Sequence, residues 1–145
     1  MQFEKEIPTA PLISIMHREH AKFLNEKVKD DNLSYGLYPL LIKIYKSEGI
    51  IQEDLAKIFH LNESTITRNL KKLEDKEFIE RIPDKRKKVI KITEKGKITA
   101  KKVMDYDKQW DLSLKKHITT EEYDNFIKTL KKICVELKWI RQLKI

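Results

Sequence analysis

Residues 62–75 predict a helix with one apolar side and one side of hydroxyl and cationic groups. At about 100° per residue, the apolar side holds Ile66, Leu70 and Leu73. The opposite side and its flanks hold Ser64, Thr67, Arg68, Lys71 and Lys72. Arginine can bond bidentately to guanine in a major groove, and short hydroxyls can reach base edges or phosphates. Taken alone, the pattern favours a solvated face whose charges pair along the helix. The alternative, which the neighbouring motifs favour, is a helix that reads duplex DNA.

Two β-branched segments, 78–82 and 89–92, follow this helix and predict the strands of a hairpin. The connection between them contains a run of cations, Lys85, Arg86, Lys87 and Lys88. Like charges at an exposed turn repel each other until phosphates neutralise them. Asp84 is placed to bond Arg86 and direct it into a minor groove. We expect this hairpin to contact DNA; the alternative is a charged hairpin that protects a sheet edge.

The net charge of +8 is confined to the part of the chain that contains these two features. Ser64 to Lys102 holds fourteen Lys and Arg against six Asp and Glu, and the other residues hold seventeen of each. A local positive field suits a protein that meets a polyanion with one face and stays soluble elsewhere. The charge distribution therefore favours the DNA interpretation.

Three more helices are predicted upstream. The first begins at Pro11 and is interrupted at Asp30-Asp31-Asn32, and the second follows Ser34 as a plausible N-cap and ends at Gly49. A short third helix begins near Gln52. His60-Leu61 then makes a turn, and Asn62 caps the cationic helix.

The last third of the chain predicts two further helices, one capped by Thr93 and one by Thr119 or Thr120. In the last helix, apolar residues repeat at steps of four and three, at Phe126, Leu130, Ile133, Leu137 and Ile140. More apolar residues follow, namely Trp139, Leu143 and Ile145. This seam predicts contact with a second subunit, and the alternative is packing within one subunit.

The combination of motifs resembles the winged helix-turn-helix regulators of the MarR (multiple antibiotic resistance regulator) family. The resemblance rests on Gln52–Ala56, Ser64–Arg68, Leu73–Lys76, Asp84-x-Arg86 and the run Ile90-x-Ile92-Thr93-Glu94-Lys95-Gly96. It extends from about Ser34 to Lys102. It implies a homodimer whose interface is made by N- and C-terminal helices, often released from its operator by small aromatic or phenolic compounds.

Carried over by position, the resemblance assigns groove reading to Ser64, Thr65, Thr67 and Arg68, and the wing's ion pair and minor-groove contact to Asp84 and Arg86. The full set of predicted DNA contacts is Ser64, Thr65, Thr67, Arg68, Lys71, Lys72, Asp84, Lys85, Arg86 and Lys87. Two residues, Glu77 and His60, stand where the family or other helix-turn-helix motifs usually have glycine. Glu77 would cost about 1 kcal/mol in a left-handed conformation, whereas His60 tolerates a positive φ better than most residues.

The predicted fold is mainly α with a small β-hairpin wing: a winged helix-turn-helix domain plus dimerisation helices. The expected regions are 1–33 (N-terminal dimerisation helix), 34–100 (DNA-binding domain) and 101–145 (C-terminal dimerisation helices), in one compact unit. We expect a homodimeric, sequence-specific regulator that represses from a pseudo-palindromic site. The alternative is an architectural protein that binds DNA without regard to sequence.

A cavity near Arg18, His20, Tyr35 and Tyr38 is the expected place for an aromatic effector, and ordinary packing of the two tyrosines is the alternative. His17 and His20 lie three residues apart and could bind a metal in a metal-responsive regulator, but the sequence offers no clear third ligand. Cys134 is expected to be a small buried hydrophobe rather than a redox sensor.

Motifs for enzymatic chemistry are missing from the sequence: it contains no phosphate-binding glycine loop and no nucleophile motif, so no catalysis and no cofactor are expected. No run approaches the roughly 18 apolar residues of a spanning helix. The N-terminus lacks the hydrophobic region of a signal peptide. We therefore expect a cytoplasmic protein without a membrane partner.

Overall fold

The computed structural model describes residues 2–28 and 33–142, and within them it contains six α-helices and one two-stranded hairpin. In chain order the elements are α1 (Thr9–Val28), a 3-10 helix (Tyr35–Leu37), α2 (Tyr38–Lys46), α3 (Gln52–Ile58), α4 (Glu63–Asp75), β1 (Ile79–Asp84), β2 (Lys87–Ile92), α5 (Glu94–Lys115) and α6 (Thr120–Gln142). The predicted fold class, mainly helical with a small hairpin wing, is confirmed. Among these helices none combines the length and hydrophobicity that a membrane crossing needs.

The chain divides into two compact units, Met1–Asp107 and Lys108–Ile145. The boundary falls inside α5. The functional regions 1–33, 34–100 and 101–145 stay a prediction.

The hydrophobic core of the first unit fixes the orientation of α4. Ile66, Leu70 and Leu73 are at most 1% exposed, as the helical spacing predicted. Phe78, directly before β1, is fully buried with them. Because one side of α4 is held in the core, its polar side must face outward.

The first two helices begin differently from the prediction. α1 starts at Thr9, two residues before Pro11, because proline is tolerated within the first turn of a helix. Ser34 makes no side-chain cap; a 3-10 turn precedes α2, with Pro39 in the first turn of α2 as expected. The predicted interruption at Asp30-Asp31-Asn32 lies outside the described residues.

The turn between α3 and α4 has the predicted local chemistry. His60 has a φ of 52°, in the left-handed region, and Leu61 N–H donates to Ala56 O at 2.9 Å. Asn62 caps α4, as expected, by accepting from Thr65 N–H at 2.8 Å. These contacts join the two helices at a fixed local geometry.

The hairpin is longer and its turn tighter than predicted. The ladder runs from Ile79 opposite Ile92 to Asp84 opposite Lys87, so only Lys85 and Arg86 form the turn. The chain just before α3 also pairs with β2, where Ile90 N–H donates to Ile50 O at 2.9 Å. This pairing ties the start of α3 to the hairpin.

Threonine caps begin both C-terminal helices. Thr93 Oγ1 accepts from Gly96 N–H at 3.0 Å at the start of α5, as predicted. At the start of α6, Thr119 and Glu122 form a reciprocal capping box, with bonds of 3.1 and 3.0 Å. Between the two predicted alternatives, Thr119 rather than Thr120 is the cap. The bonds from Thr119 lower the pKa of Glu122.

The apolar seam of α6 is exposed in the single chain, at 41–53% for Phe126, Leu130, Ile133 and Leu137. The side chains of Trp139 and Ile140, and the residues Leu143 and Ile145, lie outside the described part. Cys134 is exposed as well, which corrects the expectation of a buried thiol, because it lies on a helix that is exposed along most of its length.

Candidate nucleic-acid interface

The outward side of α4 carries the predicted groove-reading residues. Ser64, Arg68, Lys71 and Lys72 are exposed, and Thr65 and Thr67 are half-buried at the edge of the core-facing side. Arg68 forms no ion pair within the part of the chain that the structure describes. Its guanidinium is therefore free to contact a ligand.

Asn62 organises the N-terminal end of this surface. Its Oδ1 accepts from the Thr65 N–H and, at 2.9 Å, from the Ser64 hydroxyl. Ser64 thus keeps its lone pairs available as acceptors.

Thr67 is held by a residue that sequence reasoning did not select. Gln52, the first residue of α3, donates from Nε2 to Thr67 Oγ1 at 3.0 Å. Gln52 is only 9% exposed. The signal available in the sequence was its position at the head of the matched Gln52–Ala56 motif.

Farther along α4, Lys71 makes an exposed ion pair with Asp75, at 3.4 Å between Nζ and Oδ1. Exposed pairs at this spacing contribute only about 0.3–0.5 kcal/mol. The weak attachment allows Lys71 to change partners when a phosphate approaches.

The tip of the hairpin presents the predicted cations. All four side chains, Lys85, Arg86, Lys87 and Lys88, are exposed. None of them forms an ion pair with another residue that the structure describes. The expected bond between Asp84 and Arg86 is likewise not formed among these side chains. The reason is that Asp84 belongs to the ladder, and Lys85, with a φ of 58°, turns the chain between the two residues.

A cavity of about 380 Å³ lies between the tip of the hairpin and the starts of α3 and α4. Arg86, Lys87 and Lys88 line one side, and Glu53 and Glu63 at the starts of α3 and α4 line another. The hairpin therefore stands away from the end of α4 rather than covering it.

At the other end of α4, Glu74 connects the helix to β1. Its carboxylate accepts from Arg81 Nη2 at 2.9 Å and from Arg81 Nε at 3.3 Å. This side-chain hydrogen bonding is the main cause that lowers the pKa of Glu74. This contact differs from the pairing along the helix that was the alternative considered from the sequence. Glu74 pairs with Arg81 of β1, so Arg81 is not among the cations that remain unpaired for DNA.

The backbone between α4 and β1 turns at Glu77, whose φ of 64° confirms the left-handed conformation considered from the sequence. The Thr93 hydroxyl lies 2.7 Å from Glu77 O and 3.0 Å from Phe78 O, so it can donate to either. Lys95 donates from Nζ to Lys76 O at 2.8 Å. The start of α5 thus supplies donors for the carbonyls at this turn.

The four predicted effector residues have different environments. Arg18 is exposed. His20 is hydrogen-bonded through Nδ1 to the Tyr35 hydroxyl at 2.7 Å and through Nε2 to Asp107 Oδ1 at 2.9 Å. Partial burial, and then the charge of Asp107, raise the pKa of Tyr35.

Tyr38 does not have the environment expected of an effector contact. It is 3% exposed, and its hydroxyl donates to Leu33 O at 2.8 Å. The aromatic ring is part of the core because Tyr38 begins α2 on the helix side that carries Leu41. Its hydroxyl is committed to the backbone.

The two candidate metal-binding histidines have other partners. His17 contacts the Tyr35 ring edge-on at 5.1 Å between centroids, and both ring nitrogens of His20 are bonded. Across the described residues, no group of three His, Cys, Asp or Glu is arranged for a metal. A metal at this position would have to displace existing hydrogen bonds.

Comparison with known proteins finds similarity to helix-turn-helix regulators. The sequence model of the MarR family matches residues 33–88. An uncharacterized HTH-type transcriptional regulator of Bacillus subtilis, YybA, is 41% identical over 88 residues. That match spans 59% of this chain and 59% of the relative.

Solved structures extend the likeness along most of the chain. The crystal structure of MarR superposes with a TM-score of 0.83 at 28% identity, covering 97% of this chain and 98% of that one. A Listeria monocytogenes protein assigned to the MarR family, solved with a 26mer DNA, gives a TM-score of 0.77 at 26% identity. It covers 92% of this chain and 90% of that one.

Proposed function

We propose that the chain is a member of the MarR family, whose sequence model matches residues 33–88, and that it is a homodimeric, sequence-specific DNA-binding repressor. It acts by binding rather than by catalysis. In this proposal α4 enters a major groove and the tip of the hairpin reaches the adjacent minor groove. The 26mer DNA of the Listeria protein supports duplex DNA as the partner.

The observation that carries the proposal is the pair of cationic surfaces on one compact unit. Arg68 on α4 and the run Lys85–Lys88 on the hairpin are exposed, and no ion pair within the described residues neutralises them. α4 is meanwhile anchored by its buried side, and the hairpin by Arg81 and by its pairing with Ile50. Rigid supports with free cations suit a surface that binds phosphates and base edges.

The exposed seam of α6 supports the homodimer. Phe126, Leu130, Ile133 and Leu137 form an apolar line at heptad-like spacing that this chain leaves open to solvent. In a two-fold dimer that reads two half-sites, the two copies of α4 would lie about 34 Å apart, one turn of DNA. The operator is then pseudo-palindromic.

Release of the operator follows in this proposal from a small aromatic or phenolic effector. Such a ligand shifts the dimer between two geometries only by its differential affinity for them. Arg18, His20 and Tyr35 remain the proposed contacts, with Arg18 or His20 supplying charge and Tyr35 a ring or hydroxyl. Tyr38 contributes only packing, because its hydroxyl bonds Leu33.

A gel-shift assay tests the DNA part of the proposal. The purified protein is titrated against its own upstream region and against a scrambled duplex of equal length, at one fixed salt concentration. A sequence-specific regulator binds the first duplex at least about 1,000-fold more tightly. Equal affinity for both would establish the architectural alternative in its place.

Analytical ultracentrifugation tests the dimer. Ile133→Glu puts a charge into the seam and is expected to give a monomer that binds the operator poorly. Asn125→Glu introduces the same charge at an exposed position of α6 outside the seam and should leave the dimer intact. A dimeric Ile133→Glu variant would move the interface elsewhere.

A further inference from the structure

A hydrogen bond between the two helices of the helix-turn-helix leaves one buried atom unpaired. Gln52 Nε2 donates to Thr67 Oγ1 at 3.0 Å, while Gln52 Oε1 is buried and has no hydrogen-bond partner among the residues that the structure describes. Buried polar groups in folded proteins are nearly always paired, so each exception needs a reason. The exception here lies directly beneath a candidate DNA-reading residue.

The direction of this hydrogen bond follows from what each atom can do. Turning the Gln52 amide over would leave both hydrogens of its NH₂ group without an acceptor among the described residues, whereas in the observed orientation one of them is bonded to Thr67 and the buried unpaired atom is the carbonyl oxygen. Thr67 Oγ1 therefore accepts from Gln52 and keeps its own proton. Within the described residues that proton has no acceptor, not even the carbonyl one turn back that threonine often uses in helices.

We infer that Gln52 is a positioning residue that makes Thr67 a hydrogen-bond donor toward bound DNA, so that part of the operator preference is set from α3. This inference rests on the proposed function. The ligand group is an acceptor atom, either on a base edge in the major groove or on a phosphate. With its lone pair held by Gln52, Thr67 offers that acceptor a single, oriented proton.

Gln52 is well placed to hold this orientation. Ile51, directly before it, forms a bridge with Val89, and Ile50 accepts from Ile90 N–H at 2.9 Å, so the backbone beside Gln52 is fixed on β2. The residue is only 9% exposed, so its side chain has little freedom to turn. A buried, fixed amide holds a hydroxyl more firmly than water could.

This role predicts that one substitution changes recognition without lowering stability. Gln52→Met keeps the length of the side chain and removes both the bond to Thr67 and the unpaired oxygen. The melting temperature should therefore not fall, whereas the affinity for the operator should fall by about 3- to 10-fold, the equivalent of one lost hydrogen bond. If Gln52 only supported the fold, its substitution would lower the melting temperature and the affinity for the operator together.

The test is a double-mutant cycle on operator duplexes that carry single changes. Wild type, Gln52→Met, Thr67→Val and the double variant are titrated against duplexes with one base pair replaced and against duplexes with one neutral methylphosphonate linkage. The affinity of the wild type should fall when one particular position of each half-site is changed. The affinity of each variant should not depend on a change at that position. The double variant should be no weaker than either single one. If a base replacement lowers the wild-type affinity at that position, the acceptor for Thr67 is a base edge. If a methylphosphonate linkage lowers it, the acceptor is a phosphate.

Two more variants complete the experiment. Gln52→Glu presents only acceptors when ionised, so Thr67 must donate inward, and the same position should become insensitive. Gln109→Met makes the matched substitution at an exposed position on α5 and should bind as wild type does.

Three results would overturn the inference: additive losses in the cycle, an unchanged pattern of sensitivity in Gln52→Met, or a lower melting temperature of that variant. Failure of wild-type protein to distinguish operator from scrambled duplex would instead reject the proposed function.

Discussion

The carboxylate of Glu74 on α4 binds both the side chain and the backbone N–H of Arg81 on β1. The backbone bond measures 3.2 Å from Arg81 N to Glu74 Oε2, in addition to the two bonds from the guanidinium. A bidentate pair restricts orientation as well as distance. This contact therefore joins the end of the candidate recognition helix to the first strand of the wing.

Glu74→Gln should weaken that connection. The variant keeps the shape of the side chain but loses the charge that strengthens all three bonds. We expect the free energy of unfolding to fall by about 1 kcal/mol; the effect is modest because both side chains are only partly buried. Chemical denaturation measures this change. Glu80→Gln, an equal change at an exposed position of β1, is the control. Equal stability of both variants would show that the pair contributes nothing.

The contribution of Glu74 should also depend on pH. Because Arg81 lowers the pKa of Glu74 in the folded protein, the stabilisation is complete above the ordinary pKa of glutamate and is lost as the pH falls through the lower, folded value. The difference in melting temperature between wild type and Glu74→Gln should therefore shrink in acid. Taking the difference cancels the similar response of Glu122, whose pKa is lowered too. A gap that stays constant down to strongly acidic pH contradicts the assignment.

Gly96→Ala should destabilise the first unit strongly. A Cβ at Gly96 would lie 2.2 Å from Phe78 O, a backbone atom that cannot move aside cheaply. We expect a loss of about 2 kcal/mol or more. Gly36→Ala is the matched control, since a Cβ there meets nothing within 4 Å. Thermal unfolding of the two variants measures the difference, and similar melting temperatures would mean that α5 can move away from the turn.

Glu77→Gly should stabilise the protein by about 1 kcal/mol, because glycine adopts the φ of 64° without steric strain. Lys76→Gly, one residue earlier at a φ of −89°, relieves no strain and should destabilise instead. Denaturant titration of both variants gives the comparison. If the two substitutions act in the same direction, the backbone conformation at Glu77 is not the source of strain.

Arg68→Ala and Arg86→Ala should affect DNA binding in different ways. Removing Arg68 from α4 should relax base preference by about 1–3 kcal/mol at one position of the operator. Removing Arg86 from the hairpin should weaken binding most on sites with narrow A/T minor grooves. Binding to a panel of substituted duplexes separates the two patterns. If Arg68→Ala keeps the wild-type base preference, Arg68 contacts only the DNA backbone. If Arg86→Ala loses no more affinity on sites with narrow A/T minor grooves than on the other duplexes, the hairpin does not bind in the minor groove.

Short-range chemistry made much of the fold predictable. The caps at Asn62, Thr93 and Thr119 were visible because each bonds a backbone group within three residues. The apolar side of α4 was visible because helical periodicity repeats within one segment. The limits of α1 and of the hairpin turn were less predictable, because first-turn prolines and strand pairing extend elements past their local signals.

The candidate site was predictable in its residue types and not in its contacts. Exposed cations on α4 and on the hairpin follow from charge and spacing. The partners of Glu74, Thr67 and Tyr38 do not, since each lies in another element or turn of the chain. The absence of a bond between Asp84 and Arg86 in the described structure depends in turn on how far the β-ladder extends.

The sequence alone determined which segments become helices or strands, that Asn62, Thr93 and Thr119 cap the helices that follow them, and that positive charge gathers around α4 and the hairpin. Only the tertiary structure decided that Arg81 binds Glu74, that Gln52 supports Thr67, and that the Tyr38 hydroxyl belongs to the core. The reason is physical: periodicity and capping act between residues a few positions apart, whereas these bonds form only when folding brings separate segments to within about 3 Å.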